Sequence, residues 1–296
     1  MERRFTYFVD NRDEGLTVEQ FLKQRGYSRQ VLVQLKKTEE GILKDGVWAY
    51  TRDRVSAGSR LDIRLAEEAP EQILPVELPF GMVYEDEDLM VVDKPADMPV
   101  HPSINNYDNT LANAIAWYSR QKGEPFPYRC INRLDRNTTG LLIIARHMLS
   151  AAVLYRQMKE RSIRRTYLAI VKGHLEEPGT VDAPVGRCEG SVIRRMVDWE
   201  HGERAVTHYT PLAWGDGWTL VQCVLETGRT HQIRVHMSYI GHPLPGDFLY
   251  CPEDGSICRQ PLHSWKLQFT HPVTGEPLEF EQPLPEDMQQ FMRERL

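Results

Sequence analysis

Arg133-Leu134-Asp135-Arg136-Asn137-Thr138-Thr139-Gly140-Leu141-Leu142-Ile143-Ile144-Ala145 places a charged, hydroxyl-bearing run that ends in glycine directly before five apolar residues. The apolar half reads as a buried strand, and the polar half as a loop that delivers side chains to the edge of a sheet. A carboxylate between Arg133 and Arg136 is held ionised by nearby positive charge and is available as a nucleophile or base. Taken bare, Arg-Leu-Asp is better read as a turn stabilised by an ion pair.

Outward from this stretch, short apolar strands at 89–92, 141–145 and 167–171 alternate with helical spacing at 111–120 and 151–160. The pattern predicts one α+β domain over 81–296, built on a central mixed, largely antiparallel sheet flanked by helices and loops. The sequence carries no internal repeat and no glycine-rich phosphate loop.

Two further segments carry polar chemistry. In Leu225-Glu226-Thr227-Gly228-Arg229-Thr230-His231-Gln232-Ile233-Arg234-Val235-His236 an apolar strand stops at Thr227-Gly228 and turns into a helix with Arg234 in its early turns. His231 and His236 are five apart and no Glu follows His231, so the paired-histidine metal pattern fails and no metal is expected. Arg161-Ser162-Ile163-Arg164-Arg165 is a basic turn before the strand at Tyr167, and with Arg156 and Lys159 it forms a local cationic patch. It suits an RNA backbone, or equally a solvated helix end whose cations complement the dipole.

Upstream, residues 15–37 read as two short helices, the second starting at the N-cap Ser28 beside Arg29. Turns at Asp45-Gly46 and Ala57-Gly58 precede the alternating strand 60–65. The expected organisation is a small α+β unit over 1–66, an acidic, proline-containing linker over 67–80, and the large domain over 81–296.

Of 296 residues 41% are hydrophobic and 26% charged, an ordinary globular balance without a disordered or low-complexity segment. Five cysteines with no C-x-x-C pair argue against a disulfide framework and a zinc ribbon. The net charge of −6 argues, as an average, against nucleic acid. It is unevenly held: residues 1–65 carry thirteen Lys and Arg against ten Asp and Glu, whereas 66–100 carry one against ten. No apolar run approaches a membrane span, and Met1-Glu2-Arg3-Arg4-Phe5 lacks a signal core, so a cytoplasmic chain is expected. No heptad repeat demands assembly, and a monomer is expected.

In this order the three segments resemble the RluA-type RNA pseudouridine synthases. Supporting matches are Tyr84-Glu85-Asp86-Glu87-Asp88-Leu89 leading to Asp93-Lys94-Pro95, Val100-His101-Pro102-Ser103, Arg204-Ala205-Val206-Thr207, Gly241-His242-Pro243 with Gly246-Asp247, and Leu262-His263-Ser264 with His271-Pro272. The resemblance covers about 81–283. It implies that Asp135 is the essential aspartate, that Tyr167 packs against the uracil ring, that Arg234 is the carboxylate's partner and that Leu262 lines the base pocket. Each role has a physical basis: stacking on an aromatic ring recognises a flat base, and a buried carboxylate needs a charge partner to stay ionised. Arg133 and Arg229 join the implied substrate contacts, and Arg161, Arg164 and Arg165 are candidates for the RNA backbone. The N-terminal stretch resembles the alpha-L RNA-binding domain first known from a small-subunit ribosomal protein, with Ser28 and Arg29 as its candidate RNA contacts.

The reaction implied is isomerisation of specific uridines in ribosomal or transfer RNA, without a cofactor. Uracil leaves its ribose at N1, turns in the pocket and rejoins through C5; Asp135 attacks the anomeric carbon, attacks C6, or takes the C2′ proton to give a glycal. Three residues depart from the usual pattern: Asn132 for His, Asn137 for Asp, and Asp97 where Gly often follows Lys-Pro-Ala. Asp at the last position is expected to tolerate only partly the backbone angles that Gly supplies. The rival readings are an inactive RNA-binding protein on the same fold, a glycosidase, for which no second acid stands out, and a metal-dependent hydrolase.

Overall fold

The structure, a computed structural model, describes residues 1–68 and 73–295. Of the linker expected over 67–80, positions 69–72 lie outside the described residues.

The N-terminal unit comprises β1 (Glu2–Phe8), α1 (Val18–Gln24), α2 (Arg29–Lys37), β2 (Ile42–Lys44), β3 (Val47–Trp48) and β4 (Arg60–Ala66). Thr17 and Gln20 form a capping box that starts α1, and Ser28 accepts the Val31 N–H at the start of α2. Asp45 and Gly46 have φ of 51° and 82°, which makes the tight turn between β2 and β3. The sheet order is β1-β4-β2-β3, and its apolar face closes on Phe21, Leu22, Leu32 and Leu35.

The second unit continues with β5 (Gly81–Glu85), β6 (Leu89–Lys94), α3 (Leu111–Gln121), β7 (Thr139–Ala145), α4 (Met148–Lys159), β8 (Arg164–Lys172), β9 (Gly179–Asp182), β10 (Val185–Arg187), β11 (Arg195–Val197), β12 (Val206–Gly215), β13 (Trp218–Leu225), α5 (Gln232–Tyr239), β14 (Leu262–Thr270), β15 (Pro277–Glu281) and α6 (Glu286–Arg295). Nine strands join in one sheet, β5-β6-β7-β14-β8-β13-β12-β9 with β15 on β14. Every pairing in it is antiparallel except β7 with β14, which gives the mixed, largely antiparallel sheet the sequence predicts. At that parallel junction Gly140 has φ of 104°, and a Cβ there would lie 2.3 Å from the Ser264 carbonyl oxygen, so only glycine lets the strands meet.

Strand alternation splits the core in two. Met90, Val92, Leu142, Ile144, Tyr167 and Leu262 face α3 and α5, whereas Leu89, Val91, Leu141, Ile143 and Leu267 face α4. Helix α4 also contributes Leu149 and Val153 to the N-terminal core. Gly26 sits against Val153 at φ of 91°, where a Cβ would come within 2.6 Å of the valine methyl. Polar ties reinforce the contact: Arg3 reaches Asp88 at 2.9 Å, and Glu67 accepts from Arg129 and from the Met148 N–H. Among the described residues no helix is long and apolar enough to cross a membrane.

Candidate active site

The loop 133–138 is held from below by cations. Lys94, fully buried, donates to the carbonyls of Pro95, Met98 and Arg136 at 2.7, 2.9 and 2.9 Å, so each ammonium hydrogen has its own acceptor. Burial, and then the charge of Arg259, push its pKa down to about 7, against the pull of Asp135. Arg259 donates to the Asn137 carbonyl at 3.0 Å while paired with Asp287. Asp97 does adopt a left-handed backbone, φ 59°, as the departure from glycine led us to expect. Two local contacts accompany it: its N–H donates to Asn137 Oδ1 at 3.2 Å and its carboxylate accepts from Arg136 at 2.7 Å. Two of the three departures therefore touch each other. The third, Asn132, is buried and bonds β7 through Ile143 N–H at 2.9 Å and the Leu141 carbonyl at 3.3 Å.

This scaffold presents Asp135 to a cleft of about 720 Å3 lined also by Arg133, Tyr167, His231, Arg234 and Leu262. Arg234, in the first turn of α5 and 2% exposed, donates Nη1 to Asp135 Oδ2 at 2.9 Å. Its other edge makes a two-pronged pair with Asp247, at 2.6 Å from Nε and 2.8 Å from Nη2. Burial opposes the guanidinium charge, but the Asp247 hydrogen bonds and the charges of Asp135 and Asp247 outweigh it and hold the pKa above the ordinary arginine value. Asp247 is fully buried and also accepts the Leu249 and Tyr250 N–H groups, so it is a brace rather than a second acid open to substrate.

His231 caps α5 with φ of 59°, and its Nε2 stands 3.9 Å from Asp135 Oδ2. Its Nδ1 lies 3.1 Å from the Tyr250 hydroxyl, which accepts the Arg195 N–H at 3.0 Å. Burial lowers the His231 pKa, partly offset by Asp135, so the ring is neutral near pH 7. His236 faces away and bonds Thr207 and the Ala183 carbonyl, both at 2.9 Å. Asp86, Asp88 and His271 are the one group of acid and histidine donors, among the described residues, close enough for a metal. Their atoms are engaged by Arg3, His147 and Tyr84 at the contact between the units.

The structure brings together Asp135, Arg133, Tyr167, Arg234, Leu262, Arg229, Arg161 and Arg165, all of which line the cleft. Arg229 pairs with Glu203 and Arg161 with Glu226, the latter at 3.0 Å. Arg164 alternates to the opposite face of β8 from Arg165, exposed, while Ser28 caps α2 and Arg29 is its first residue. Sequence reasoning gave no role to Lys94, Asp247, His231 or Tyr250. Asp93-Lys94-Pro95 and Gly246-Asp247 were visible as motifs, but nothing in one dimension says that Asp247 shares a guanidinium with Asp135.

A family model described as RNA pseudouridylate synthase matches residues 88–239, a span holding Asp135, Tyr167 and Arg234. The RNA pseudouridine synthase YjbO of Bacillus subtilis (strain 168) is 36% identical over 94% of this chain and 99% of its own. A ribosomal large subunit pseudouridine synthase D of Zymomonas mobilis is 42% identical over 77% of this chain and 76% of its own. Among solved structures, human RNA pseudouridylate synthase domain containing 1 superposes with a TM-score of 0.58 and 27% identity, covering 73% of this chain and 94% of its own. The sheet, a cleft in which Asp135 meets a buried arginine, and relatives aligned over three quarters or more of the chain agree, and the chain belongs to the RluA-type RNA pseudouridine synthases, isomerases that act on uridine within RNA.

Proposed function

We propose that Asp135 is the carboxylate on which this chain's uridine isomerisation turns. The observation that carries the reading is the chain Asp135–Arg234–Asp247: one buried guanidinium, gripped from behind by Asp247, holds Asp135 at 2.9 Å with its carboxylate facing the cleft. Tyr167 and Leu262 supply a flat apolar wall for uracil, Arg133 and Arg229 hold the nucleotide, and Arg161, Arg164 and Arg165 serve the RNA backbone. A carboxylate at this place suits attack at C1′, attack at C6 and removal of the C2′ proton alike. In each case the N1–C1′ bond breaks, a C5–C1′ bond forms, C5 loses its proton and N1 gains one, so atoms balance without a co-reactant.

A uridine stacked in RNA hides these atoms, so it must flip into the cleft, at a cost of a few kcal/mol that contacts elsewhere offset. The same reading divides the chain into an RNA-binding unit over 1–66, with Ser28 and Arg29 at its contact, a linker over 67–80 and the catalytic unit over 81–296. Several relatives at 35–42% identity are named ribosomal large subunit pseudouridine synthase D, which favours ribosomal over transfer RNA as the substrate. A cytoplasmic monomer completes the proposal.

The test is pseudouridine mapping of total RNA from cells lacking the protein, complemented with wild type or Asp135→Asn. Specific sites that vanish and return only with wild type support the assignment and identify the RNA. Restoration by Asp135→Asn removes Asp135 from the chemistry, and an unchanged map leaves the inactive RNA-binding protein as the better account.

A further inference from the structure

Arg165 differs from the other buried cations of the cleft. Arg234 has two carboxylates, and the more exposed Arg161 and Arg229 have one each. Arg165 is 8% exposed, no acid lies within 4 Å of it among the described residues, and its Nε is buried without a hydrogen-bond partner. Its Nη groups, unlike Nε, are not closed off and stand in the cleft with no acid beside them.

The position is built for it. Alternation along β8 sends Arg165 and Tyr167 to the same face, and both line the cleft. The wall opposite is Gly228, in the turn between β13 and α5, where a Cβ would stand 2.8 Å from Arg165 Nη1. Gly228 does not adopt a left-handed backbone, so a side chain there would meet no strain from the turn and would instead displace the guanidinium. The neighbourhood thus makes room for a charge that nothing in the protein neutralises.

We propose that Arg165 is the anchor for a phosphate flanking the target uridine, the anion that completes the cleft when RNA is bound. The inference rests on the reading of the cleft as the uridine site and goes beyond it by assigning one phosphate to one side chain. Phosphate is the anionic group of an RNA, and the guanidinium fork matches two of its oxygens. Anchoring it beside Tyr167 turns a diffuse attraction for the backbone into registration of a single nucleotide against Asp135. The unpaired charge of the free protein becomes a contribution to binding.

The full chain is titrated with uridine, uridine 5′-monophosphate and uridine 3′-monophosphate, none of which needs catalysis to bind. Wild type is expected to bind one monophosphate at least about tenfold more tightly than uridine, the size of one charge-assisted pair. Arg165→Gln erases that preference, Arg165→Lys keeps part of it, and Gly228→Ala weakens it while leaving the charge in place. Asp135→Asn retains it, which separates this inference from the catalytic assignment. Arg165→Gln also melts close to the wild-type temperature, because the arginine holds no ion pair whose loss would cost stability; a purely structural arginine would melt lower when replaced. Wild type that does not distinguish the monophosphates from uridine, or Arg165→Gln that still does, overturns the anchor.

Discussion

Asp135 and Arg234, 99 residues apart in the chain, meet at 2.9 Å because Asp247 grips the other edge of the same guanidinium. The carboxylate that faces the cleft is thus aimed by one that does not. Arg234→Gln leaves two carboxylates without their counter-charge. Removing one partner of a buried pair costs about 3–5 kcal/mol, so a much lower melting temperature is expected together with loss of pseudouridine formation. Asp247→Asn keeps the shape and one acceptor, so in single-turnover assays on purified RNA it should slow the reaction more than it lowers the melting temperature. Equal, full activity in Asp247→Asn would show that aiming Arg234 does not matter.

Lys94 anchors three carbonyls, two on the segment 95–98 and one, that of Arg136, within the loop 133–138. Lys94→Met fills the space but orphans those acceptors, each worth about 1–3 kcal/mol when left unsatisfied in the interior. The expected outcome is a destabilised protein whose loop 133–138 exchanges amide hydrogens faster than the rest of the sheet. Uniform exchange across the molecule would contradict that localised role.

Asp88 sits between the units, bonded by His147 and Arg3 at 2.9 Å each. Burial alone would raise its pKa, but those hydrogen bonds outweigh burial and hold it down to about 2, against an ordinary 3.8. A carboxyl depressed on folding stabilises the protein above its unfolded value, and the effect disappears as pH falls through the folded one. Asp88→Asn should therefore cost about 2 kcal/mol at pH 6, with the difference from wild type closing between pH 4 and about 2. Thermal melts across that range check the sign, and a gap that stays constant to pH 2 would exclude it.

Asp97 holds a backbone angle that glycine adopts freely, φ 59°. Asp97→Gly relieves about 1–2 kcal/mol of left-handed strain and gives up an exposed pair with Arg136 worth at most about 1 kcal/mol, so stability should be unchanged or slightly higher. Asp97→Val combines the strain with β-branching and should lower stability by more than 1 kcal/mol in denaturant melts, as order-of-magnitude expectations go.

Much of this architecture was legible in one dimension, because periodicity reports burial. The apolar runs at 89–92, 141–145 and 167–171 are strands β6, β7 and β8, and 111–120 and 151–160 are α3 and α4. The edge of the sheet was less visible: β9 to β12 are short or half-exposed, with mixed patterns that resemble loops. The cleft divides in the same way. Asp135, Tyr167, Arg234 and Leu262 stand in motifs, and the structure gathers all four. What holds them there depends on contacts between distant positions, Asp135 with Asp247 through Arg234 and Lys94 with Arg136, which no local spacing encodes.

Helix α4 belongs to two cores at once, giving Leu149 and Val153 to the N-terminal unit and Ala151 and Leu154 to the large sheet. The peptide connection between the units is therefore not what joins them. Residues 1–68 and 73–296 produced as separate polypeptides should recombine into a one-to-one complex, with the first fragment folding against the second as a bound ligand folds on its receptor.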